Sequence, residues 1–255
     1  MSQDETLTRT QLRGDRKRRR RPSALMMAIG VLGELLITMG IVVALFVVWQ
    51  VFWTDVEGSR AANSNIASFE EELPQSPEIP GTEQYGEPPV EVLPPEGQTF
   101  ATMLVPRWGE DWEFPIAEGV DRDQVLDAGY VGHYPQTQGP GELGNFAIAG
   151  HRQSHARPFY GVADLEVGDP LIVQTEQAWY VYRVSDSYIV DPTQVEVLAA
   201  NPQDPGASAS ARTITLTTCH PLWSTRERWI IHGELDYWVD RAEGRPAILI
   251  DQEDN

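Results

Sequence analysis

The chain has 255 residues and a formal net charge of −19, and it contains one cysteine, Cys219. This length suits one packed domain with attached segments, while the single cysteine excludes a disulfide within the chain. An acidic body repels the phosphate backbone of nucleic acids, so the composition disfavours nucleic-acid binding.

Residues 1–23 form a basic N-terminal segment, with eight arginines or lysines against three acidic residues. They precede an overwhelmingly apolar run, residues 24–53, which exceeds the roughly 20 residues needed to cross a bilayer as a helix. Positive charges before a spanning helix favour a cytoplasmic N-terminus. The sequence therefore predicts one membrane anchor, with everything after Trp53 on the extracellular side.

Two features of the apolar run refine this prediction. Glu34 lies inside it, but the residues from Leu35 to Trp53 nearly span a bilayer alone, which places Glu34 near the cytoplasmic interface. Trp49, Phe52 and Trp53 suit the outer interface. A cleaved signal peptide is the alternative, but its apolar stretch is usually about 7 to 15 residues long. A retained anchor is favoured.

Residues 54–95 differ in composition from both neighbours, because they combine seven prolines with many glutamates and few large apolar side chains. Such a segment buries too little surface to offset the entropy of the chain. The sequence therefore predicts an extended extracellular linker that holds the next domain away from the membrane. Its reach as a flexible coil is on the order of 35 Å.

A β-rich domain is expected over residues 96–250, followed by a short C-terminal tail, residues 251–255. Short runs of β-branched and aromatic residues alternate with glycine, proline, aspartate and asparagine, which is typical of a barrel or a sandwich. A short helix is compatible with residues 121–130. The predicted strands are 145–151, 171–175, 179–190, 213–219 and 228–235.

Cys219 ends a predicted strand, on the face opposite two aliphatic side chains. If that strand pairs with the one that begins near Arg228, a guanidinium lies close to the thiol. A thiol becomes a good nucleophile only as a thiolate, which needs a nearby cation or base. His151, which follows Gly150 at the end of an earlier strand, is the candidate base. Cysteine, histidine and arginine would then supply a nucleophile, an acid/base and an oxyanion stabiliser.

Each of these residues also has a purely structural interpretation. A lone cysteine is more often a small buried hydrophobic residue than a nucleophile. Arg226 and Arg228 could be ordinary surface cations of an acidic domain. His151 could cap a strand, as could the other histidines, His133, His155, His220 and His232. No pair of these residues decides between catalysis and structure on spacing alone.

Four longer motifs together resemble the sortases, and among them the class E sortases of actinobacteria. The resemblance covers about residues 97–240, in family order, and it extends to the anchor and the linker. The sequence departs from the family pattern at Gln136 and Tyr160, which bear on substrate fit and not on the chemistry. The motifs are GHYPQTQGPGELGNFAIAGHR (Gly132 to Arg152), PFYGVADLEVGDPLIV (Pro158 to Val173), IVDPTQVEVL (Ile189 to Leu198) and TLTTCHPLWSTRERWIIHGEL (Thr215 to Leu235).

The resemblance implies a mainly β fold, a closed eight-stranded sortase β-barrel with short helices, preceded by one N-terminal transmembrane helix. It implies that Cys219 is the nucleophile, that His151 is the general acid/base, and that Arg228 orients the substrate and stabilises the oxyanion. No cofactor and no metal site is expected, since the many acidic residues form no clustered ligand loop. The expected substrate-binding residues are Tyr134, Thr217 and Thr218.

The function that the resemblance implies is that of a membrane-anchored cysteine transpeptidase, which cleaves an LAXTG- or LPXTG-like sorting signal between Thr and Gly. The acyl group would then pass to an amine of a peptidoglycan precursor or stem peptide, so that exported proteins become attached to the cell wall. The alternatives are a pilin-polymerising sortase and a non-catalytic, membrane-tethered wall-binding domain with a sortase-like barrel. A papain-like protease is disfavoured because no helix carries the cysteine.

Overall fold

The structure is a computed structural model that describes residues 23–250, without the side chains of residues 50–52. The basic segment before Ser23 and the tail 251–255 lie outside the described residues, and so does the interfacial side chain predicted for Phe52. The chain divides into two compact units, and the boundary lies between Trp49 and Gln50.

The first helix, α1, spans Ala24–Glu72. Its residues 24–49 belong to the N-terminal unit, and their apolar side chains, such as Leu35 and Phe46, are exposed. Among the described residues, α1 is the one helix that is long and apolar enough to cross a membrane, by length and composition. A helix that is apolar on all sides is typical of a membrane span. The predicted anchor is therefore present as a candidate membrane helix.

The structure differs from the extended linker expected after residue 53, because α1 continues to Glu72. The reason lies in the composition of residues 54–72, which contain three alanines, a run of three glutamates and no proline. Alanine and glutamate are strong helix formers. The prolines begin only at Pro74, two residues after the helix ends, and proline does not continue a helix.

The non-helical segment 73–98 packs against the globular unit. Two isolated β-bridges join it to the last strand of the chain and to the turn that follows. Glu91 accepts hydrogen bonds from the hydroxyls of Thr175 and Tyr180. This segment is therefore part of the globular unit and does not extend away from it as a coil.

Eight strands of the second unit close into a barrel. They are β1 (Thr99–Leu104), β2 (Glu113–Glu118), β3 (Val131–His133), β4 (Gly144–Ala149), β5 (Pro170–Gln174), β6 (Ala178–Val190), β7 (Arg212–His220) and β8 (Glu227–Asp240). Around the barrel they follow the order β1-β2-β3-β4-β7-β8-β6-β5, in which β2 pairs with β3, and β4 with β7, in parallel. The closed eight-stranded barrel expected from the resemblance is confirmed.

Short helical segments lie between the strands and after them. The helix expected within residues 121–130 is one π-helical turn, and a second helix, α2, ends the described chain. The segments are Pro106–Trp108, Arg122–Leu126, Tyr160–Asp164, Val195–Leu198 and α2 (Ala247–Ile250).

The core fills the inside of the barrel with large apolar side chains contributed by every strand, among them Met103, Ile116, Val131, Phe146, Leu171, Tyr180, Ile214, Leu216 and Ile231. Ile214 and Leu216 fix the orientation of β7. Because successive side chains of a strand point to opposite faces, Thr217 and Cys219 lie on the face of β7 that points away from this core.

Candidate active site

Cys219 and Arg228 oppose each other on two paired strands. β7 and β8 run antiparallel, and these two residues are direct register partners, so the pairing predicted from the sequence is confirmed. Directly opposed residues of an antiparallel pair share a face, with Cβ atoms about 4.5–5.5 Å apart. Cys219 is partly exposed.

The loop between β7 and β8 orients the Arg228 guanidinium. Nη1 of Arg228 donates hydrogen bonds to the carbonyl oxygens of Thr225, at 2.9 Å, and Glu227, at 3.0 Å. A guanidinium has five N–H donors, and these two bonds involve only one of its nitrogens. Arg226, the other arginine considered, is exposed on the loop before β8.

The parallel pairing of β4 with β7 brings His151 to the same end of the barrel. The last register partners of the two strands are Ala149 and Thr217. Beyond this pair, the Gly150 amide donates a hydrogen bond of 3.2 Å to the Thr217 carbonyl. Two parallel strands that end together deliver their next residues to the same end of the sheet, so the backbone of His151 follows β4 where Cys219 lies on β7.

Gly150 is required at the end of β4 by close packing. A Cβ atom at this position would lie 2.8 Å from Cδ2 of Phe159, and the Phe159 ring is fully buried. No other residue type lacks a Cβ, so the chain can pass this ring only as glycine. The close approach of the Phe159 ring therefore accounts for the glycine at this position.

His151 is hydrogen-bonded to an aspartate that sequence reasoning did not single out. Its Nε2 lies 2.6 Å from Oδ1 of Asp127, which directly follows the turn Arg122–Leu126. Burial lowers the pKa of His151, and the Asp127 carboxylate opposes this shift only in part. The neutral imidazole is therefore favoured, which suits a group that must accept a proton.

One group of side chains within residues 23–250 could hold a metal ion. It consists of Asp127, His151 and His155, whose ligand atoms all lie within 4.8 Å of one another. The sequence did not indicate a metal site, because Asp127 lies 24 residues before His151, and two histidines four residues apart do not by themselves specify a metal site. His155 had been considered only as a strand cap.

Arg152 is a second arginine close to the thiol, and the sequence analysis gave it no role. It is buried, and its guanidinium carbon lies 4.8 Å from the centre of the Trp229 ring. Its Nη1 lies 3.0 Å from Nδ1 of His220. Burial lowers the pKa of Arg152, and the nearby acidic groups of Tyr160, Asp164 and Cys219 oppose this shift only in part. The GHR motif, in which Arg152 follows His151, was the available signal.

A groove of about 140 Å³ lies next to Arg228 on the outer face of the barrel. Tyr134 and Thr217 line it from the barrel side, and their hydroxyl oxygens are 3.1 Å apart. The opposite wall is formed by the end of β6 and by the β6–β7 loop, through Val190, Asp191, Pro192, Gln194, Val195, Val197 and Leu198. The groove therefore brings together Arg228 and two of the three residues expected to bind substrate.

Thr218 lies elsewhere, on the core-facing side of β7. It is buried, and its hydroxyl donates a hydrogen bond of 2.7 Å to the carbonyl of Gly150. This contact ties β7 to the residue that precedes His151. The predicted role of Thr218 in substrate binding stays a prediction, and the contact that the structure gives it is a structural one.

A hydrogen-bonded chain of side chains fixes the loop that walls the groove. The Tyr188 hydroxyl lies 2.7 Å from Nε2 of His232, and Nδ1 of His232 lies 2.8 Å from the Thr215 hydroxyl. Thr215 in turn donates a hydrogen bond of 2.6 Å to the side-chain carbonyl of Asn145. The Asn145 amide donates to two backbone carbonyls of the β6–β7 loop, both at 3.1 Å. The wall of the groove is thus anchored to β4, β7 and β8.

Known proteins with similar sequences carry the same domain. The Sortase domain family matches residues 103–236. Sortase SrtE1 of Streptomyces coelicolor is 35% identical over 239 residues, which cover 91% of this chain. The match covers 64% of the length of SrtE1, so the chain spans a little less than two thirds of that relative.

Solved structures agree with the sequence match. A SrtA sortase from Actinomyces oris has a TM-score of 0.62 and 43% identity, over 65% of this chain and 94% of that chain. Sortase E1 from Streptomyces coelicolor, solved with a tripeptide in the active site, has a TM-score of 0.56 and 37% identity, over 62% of this chain and 99% of that chain. This chain therefore belongs to the sortase family of cysteine transpeptidases, in its class E branch.

Proposed function

We propose that this chain is a membrane-anchored transpeptidase that attaches exported proteins to the cell wall. Its substrate is an LAXTG- or LPXTG-like sorting signal, cleaved between Thr and Gly, and its acceptor is an amine of a peptidoglycan precursor or stem peptide. The observation that carries this proposal is the gathering of Cys219, Arg228 and the chain segment of His151 at one end of three paired strands.

In the first half of the reaction, His151 accepts the proton of the Cys219 thiol. The thiolate attacks the carbonyl carbon of the signal threonine, and a carbon–sulfur bond forms. Arg228 donates hydrogen bonds to the oxygen, which becomes negatively charged in the tetrahedral intermediate. The carbon–nitrogen bond to glycine then breaks, and His151 returns its proton to the departing amine. The products are a thioester at Cys219 and a free glycine amine.

In the second half, the acceptor amine attacks the thioester carbonyl. His151 takes the proton that the attacking nitrogen releases, and Arg228 again stabilises the oxyanion. The carbon–sulfur bond breaks, the thiolate leaves and recovers the proton, and a new amide bond joins the cargo to the wall precursor. Water in place of the amine would give hydrolysis.

The groove beside Arg228 suits the role of binding the sorting signal. Tyr134 offers an aromatic face and a hydroxyl, and Thr217 offers a hydroxyl next to it. We assign both to substrate binding on the basis of these positions and of the resemblance to the family. Thr218 does not line the groove, and its role in binding the signal stays a prediction.

The same proposal covers topology and domain limits. Residues 24–53 cross the membrane, the N-terminus is cytoplasmic, and the catalytic unit lies on the extracellular side. Residue 96, the expected start of the catalytic domain, marks where the sortase-like motifs begin and not where the folded unit begins, since the segment 73–98 packs on the barrel. The helical residues 54–72 pack on it as well, so we assign residues 54–250 to one extracellular folded unit.

Intact-protein mass spectrometry tests the proposed function. The detergent-solubilised full chain is incubated with an LAXTG peptide or an LPXTG peptide, with and without a stem-peptide amine. We expect an adduct with the mass of the cleaved peptide on the wild-type protein, its loss in Cys219→Ala, and a ligated peptide when the amine is present. An adduct that persists in Cys219→Ala, or no adduct with either peptide, would contradict the proposal.

A further inference from the structure

Three potential metal ligands converge beside the proposed general base. Oδ1 of Asp127 lies 2.6 Å from Nε2 of His151 and 3.4 Å from Nδ1 of His155. The two imidazole rings are 5.1 Å apart between their centroids. Transpeptidation as described above uses only one of these three side chains directly, so the cluster needs a separate explanation.

The chemistry of these ligands suits Zn²⁺. Two imidazoles and a carboxylate are typical zinc ligands, whereas Ca²⁺ and Mg²⁺ prefer oxygen alone. Around tetrahedral Zn²⁺, with bonds of about 2.0–2.1 Å, neighbouring ligand atoms lie about 3.3 Å apart. Oδ1 of Asp127 and Nδ1 of His155 are 3.4 Å apart, which is already close to this spacing. To match it, His151 would have to move away from Asp127 by less than about 1 Å, and the ligand atoms of the two histidines, which lie within 4.8 Å of each other, would have to reach the same spacing.

His155 is held in place although nothing within the described residues bonds to its inner nitrogen. Nδ1 of His155 is buried and makes no hydrogen bond to any of those residues. The backbone of His155, Ala156 and Arg157 is left-handed, with φ of 50°, 66° and 52°. Such strain persists only where the surroundings impose it. Helix α1 does so, because a Cβ at Gly58 would lie 2.7 Å from the Ala156 nitrogen and Asp55 pairs with Arg157 at 3.0 Å.

The cluster is open enough for an ion to enter. The side chains of Asp127, His151 and His155 are 20%, 20% and 24% exposed, so water can complete the coordination. Arg122 lies 3.2 Å from the second oxygen of Asp127, but its side chain is 74% exposed. Solvent and salt screen the charge of such an exposed group, and it leaves Oδ1 available.

We propose that Asp127, His151 and His155 form a Zn²⁺ site, and that the bound ion reversibly inhibits the transpeptidase. The inhibitory part rests on the proposed function, in which His151 moves the proton between the thiol and the amines. A neutral imidazole that binds zinc through one nitrogen carries its proton on the other nitrogen. Such a ring cannot accept the proton of Cys219, so acylation stops while the ion is bound.

Metal binding can be measured without any substrate. The full chain in detergent carries Cys219→Ala, which removes the thiol as a ligand, and is titrated with Co²⁺, whose visible absorption reports tetrahedral coordination. Zn²⁺ then displaces the Co²⁺. Excess Mg²⁺ occupies the exposed carboxylates throughout. We expect one ion per chain and at least about tenfold weaker binding in His155→Asn, since asparagine accepts the left-handed backbone but removes the imidazole.

A matched variant controls for charge. Asp123→Asn removes one exposed carboxylate from the same short segment without touching the cluster, and its affinity should stay within about twofold of the parent, as for a surface substitution. Equal affinity in the parent and in His155→Asn would overturn the site, and so would the absence of any bound Co²⁺ or Zn²⁺.

Inhibition is measured separately, with the Cys219-containing protein and the peptide ligation assay. Zn²⁺ should stop ligation and a chelator should restore it. His155→Asn should ligate as well as wild type in chelator and need at least about tenfold more Zn²⁺ for half-inhibition. Inhibition that is equal in both proteins would overturn the inhibitory role. If no peptide reacts at all, the proposed function fails, while the Co²⁺ titration still decides the metal site.

Discussion

Among single residues, Arg228 has the role that depends most on side-chain shape. Its guanidinium is tied by one nitrogen to the carbonyls of Thr225 in the β7–β8 loop and Glu227 at the start of β8, and the planar fork can direct its other donors at an oxyanion. A lysine carries the same charge on a flexible stem with one compact head. Charge and geometry can therefore be separated by experiment at this position.

Replacement of Arg228 by lysine should lower the rate of thioester formation by about 10²–10³-fold, the usual effect of losing an oriented oxyanion donor. The measurement is the single-turnover rate of acylation with a saturating sorting-signal peptide. Arg226→Lys, on the exposed part of the same loop, serves as the control and should change the rate by less than about twofold. Similar losses in both variants would show that loop charge, and not the position of Arg228, matters.

Tyr134→Phe should act mainly on peptide binding. The phenol oxygen lies 3.1 Å from the Thr217 hydroxyl in the groove, and the loss of one hydrogen-bonding group costs about 1 kcal/mol, or about fivefold. We expect KM for the peptide to rise by that factor while kcat changes little. Tyr85→Phe, an exposed tyrosine paired with Glu83, is the control. A fall in kcat with unchanged KM would assign Tyr134 to the chemistry and not to the groove.

The site residues that could be predicted from the sequence are those that lie inside sequence motifs. Cys219 and Arg228 lie in one continuous motif, and two-residue periodicity already placed the thiol on the face away from the core. Asp127 and His155 were not singled out, because their contacts with His151 depend on the folded path of two loops. No spacing rule relates an aspartate at the end of a helical turn to a histidine after a strand 24 residues later.

Among the elements, the junction between β4 and β7 does most to position the site. The Gly150 amide donates a hydrogen bond to the Thr217 carbonyl, and the Gly150 carbonyl accepts one from the Thr218 hydroxyl. The Phe159 ring fills the space that a side chain at position 150 would occupy. The backbone that leads to His151 is therefore held from two sides. Its geometry tolerates little change.

Gly150→Ala should destabilise the barrel by about 1–3 kcal/mol, the usual cost of overpacking a core. Phe159 is fully buried and cannot move aside cheaply. The measurement is chemical unfolding followed by tryptophan fluorescence, together with the acylation rate. Gly86→Ala is the matched control, because a Cβ there would meet nothing within 4 Å, and its stability should be unchanged or slightly higher. Equal stability of the two variants would contradict the packing argument.

The strands were predicted where their sequences are rich in β-branched and aromatic residues. All five predicted strands are present, with ends that shift by at most five residues. The first three strands of the barrel were not individually identified, for local reasons: β2 contains Pro115, which argues against a strand, and β3 has only three residues. The helical residues 54–72 were missed because the prolines of residues 74–95 dominated the composition of the whole segment.

The stability of the whole molecule depends on pH through His232, which lies in the buried chain of hydrogen-bonded side chains described above. Burial lowers the pKa of His232 to about 4, with Asp186 opposing only in part. The folded pKa lies below the value of 6.5 for an unperturbed histidine, so the unfolded chain takes up the proton first as the pH falls. Stability is therefore complete above about pH 6.5, falls between about pH 6.5 and 4, and has no further loss from this group below that.

Between about pH 6.5 and 4, the free energy of unfolding should fall by up to about 3 kcal/mol, which follows from the size of the His232 pKa shift. The measurement is the free energy of unfolding of the full chain at a series of pH values. His232→Gln should flatten this part of the profile, whatever its effect at neutral pH, because glutamine does not titrate. His220→Gln, which removes a partly exposed histidine, should retain the profile. If the free energy of unfolding of His232→Gln fell with pH as steeply as that of the wild type, the acid sensitivity would belong to other groups.

The parallel alignment of β4 with β7 also limits which changes in chain length the barrel can accept. A shift of β7 by one position would turn the sulfur of Cys219 into the interior, because side chains alternate between faces. A shift of two positions would restore the face but carry the sulfur about 6.6 Å along the strand. A strand can shift against its neighbour only by whole residues, so a misaligned β7 cannot hold Cys219 partly in place. The enzyme is therefore either aligned and active or misaligned and inactive. Strand alignment therefore sets no limit on insertions in the connecting loops, whereas deleting one residue within either strand disables the enzyme outright.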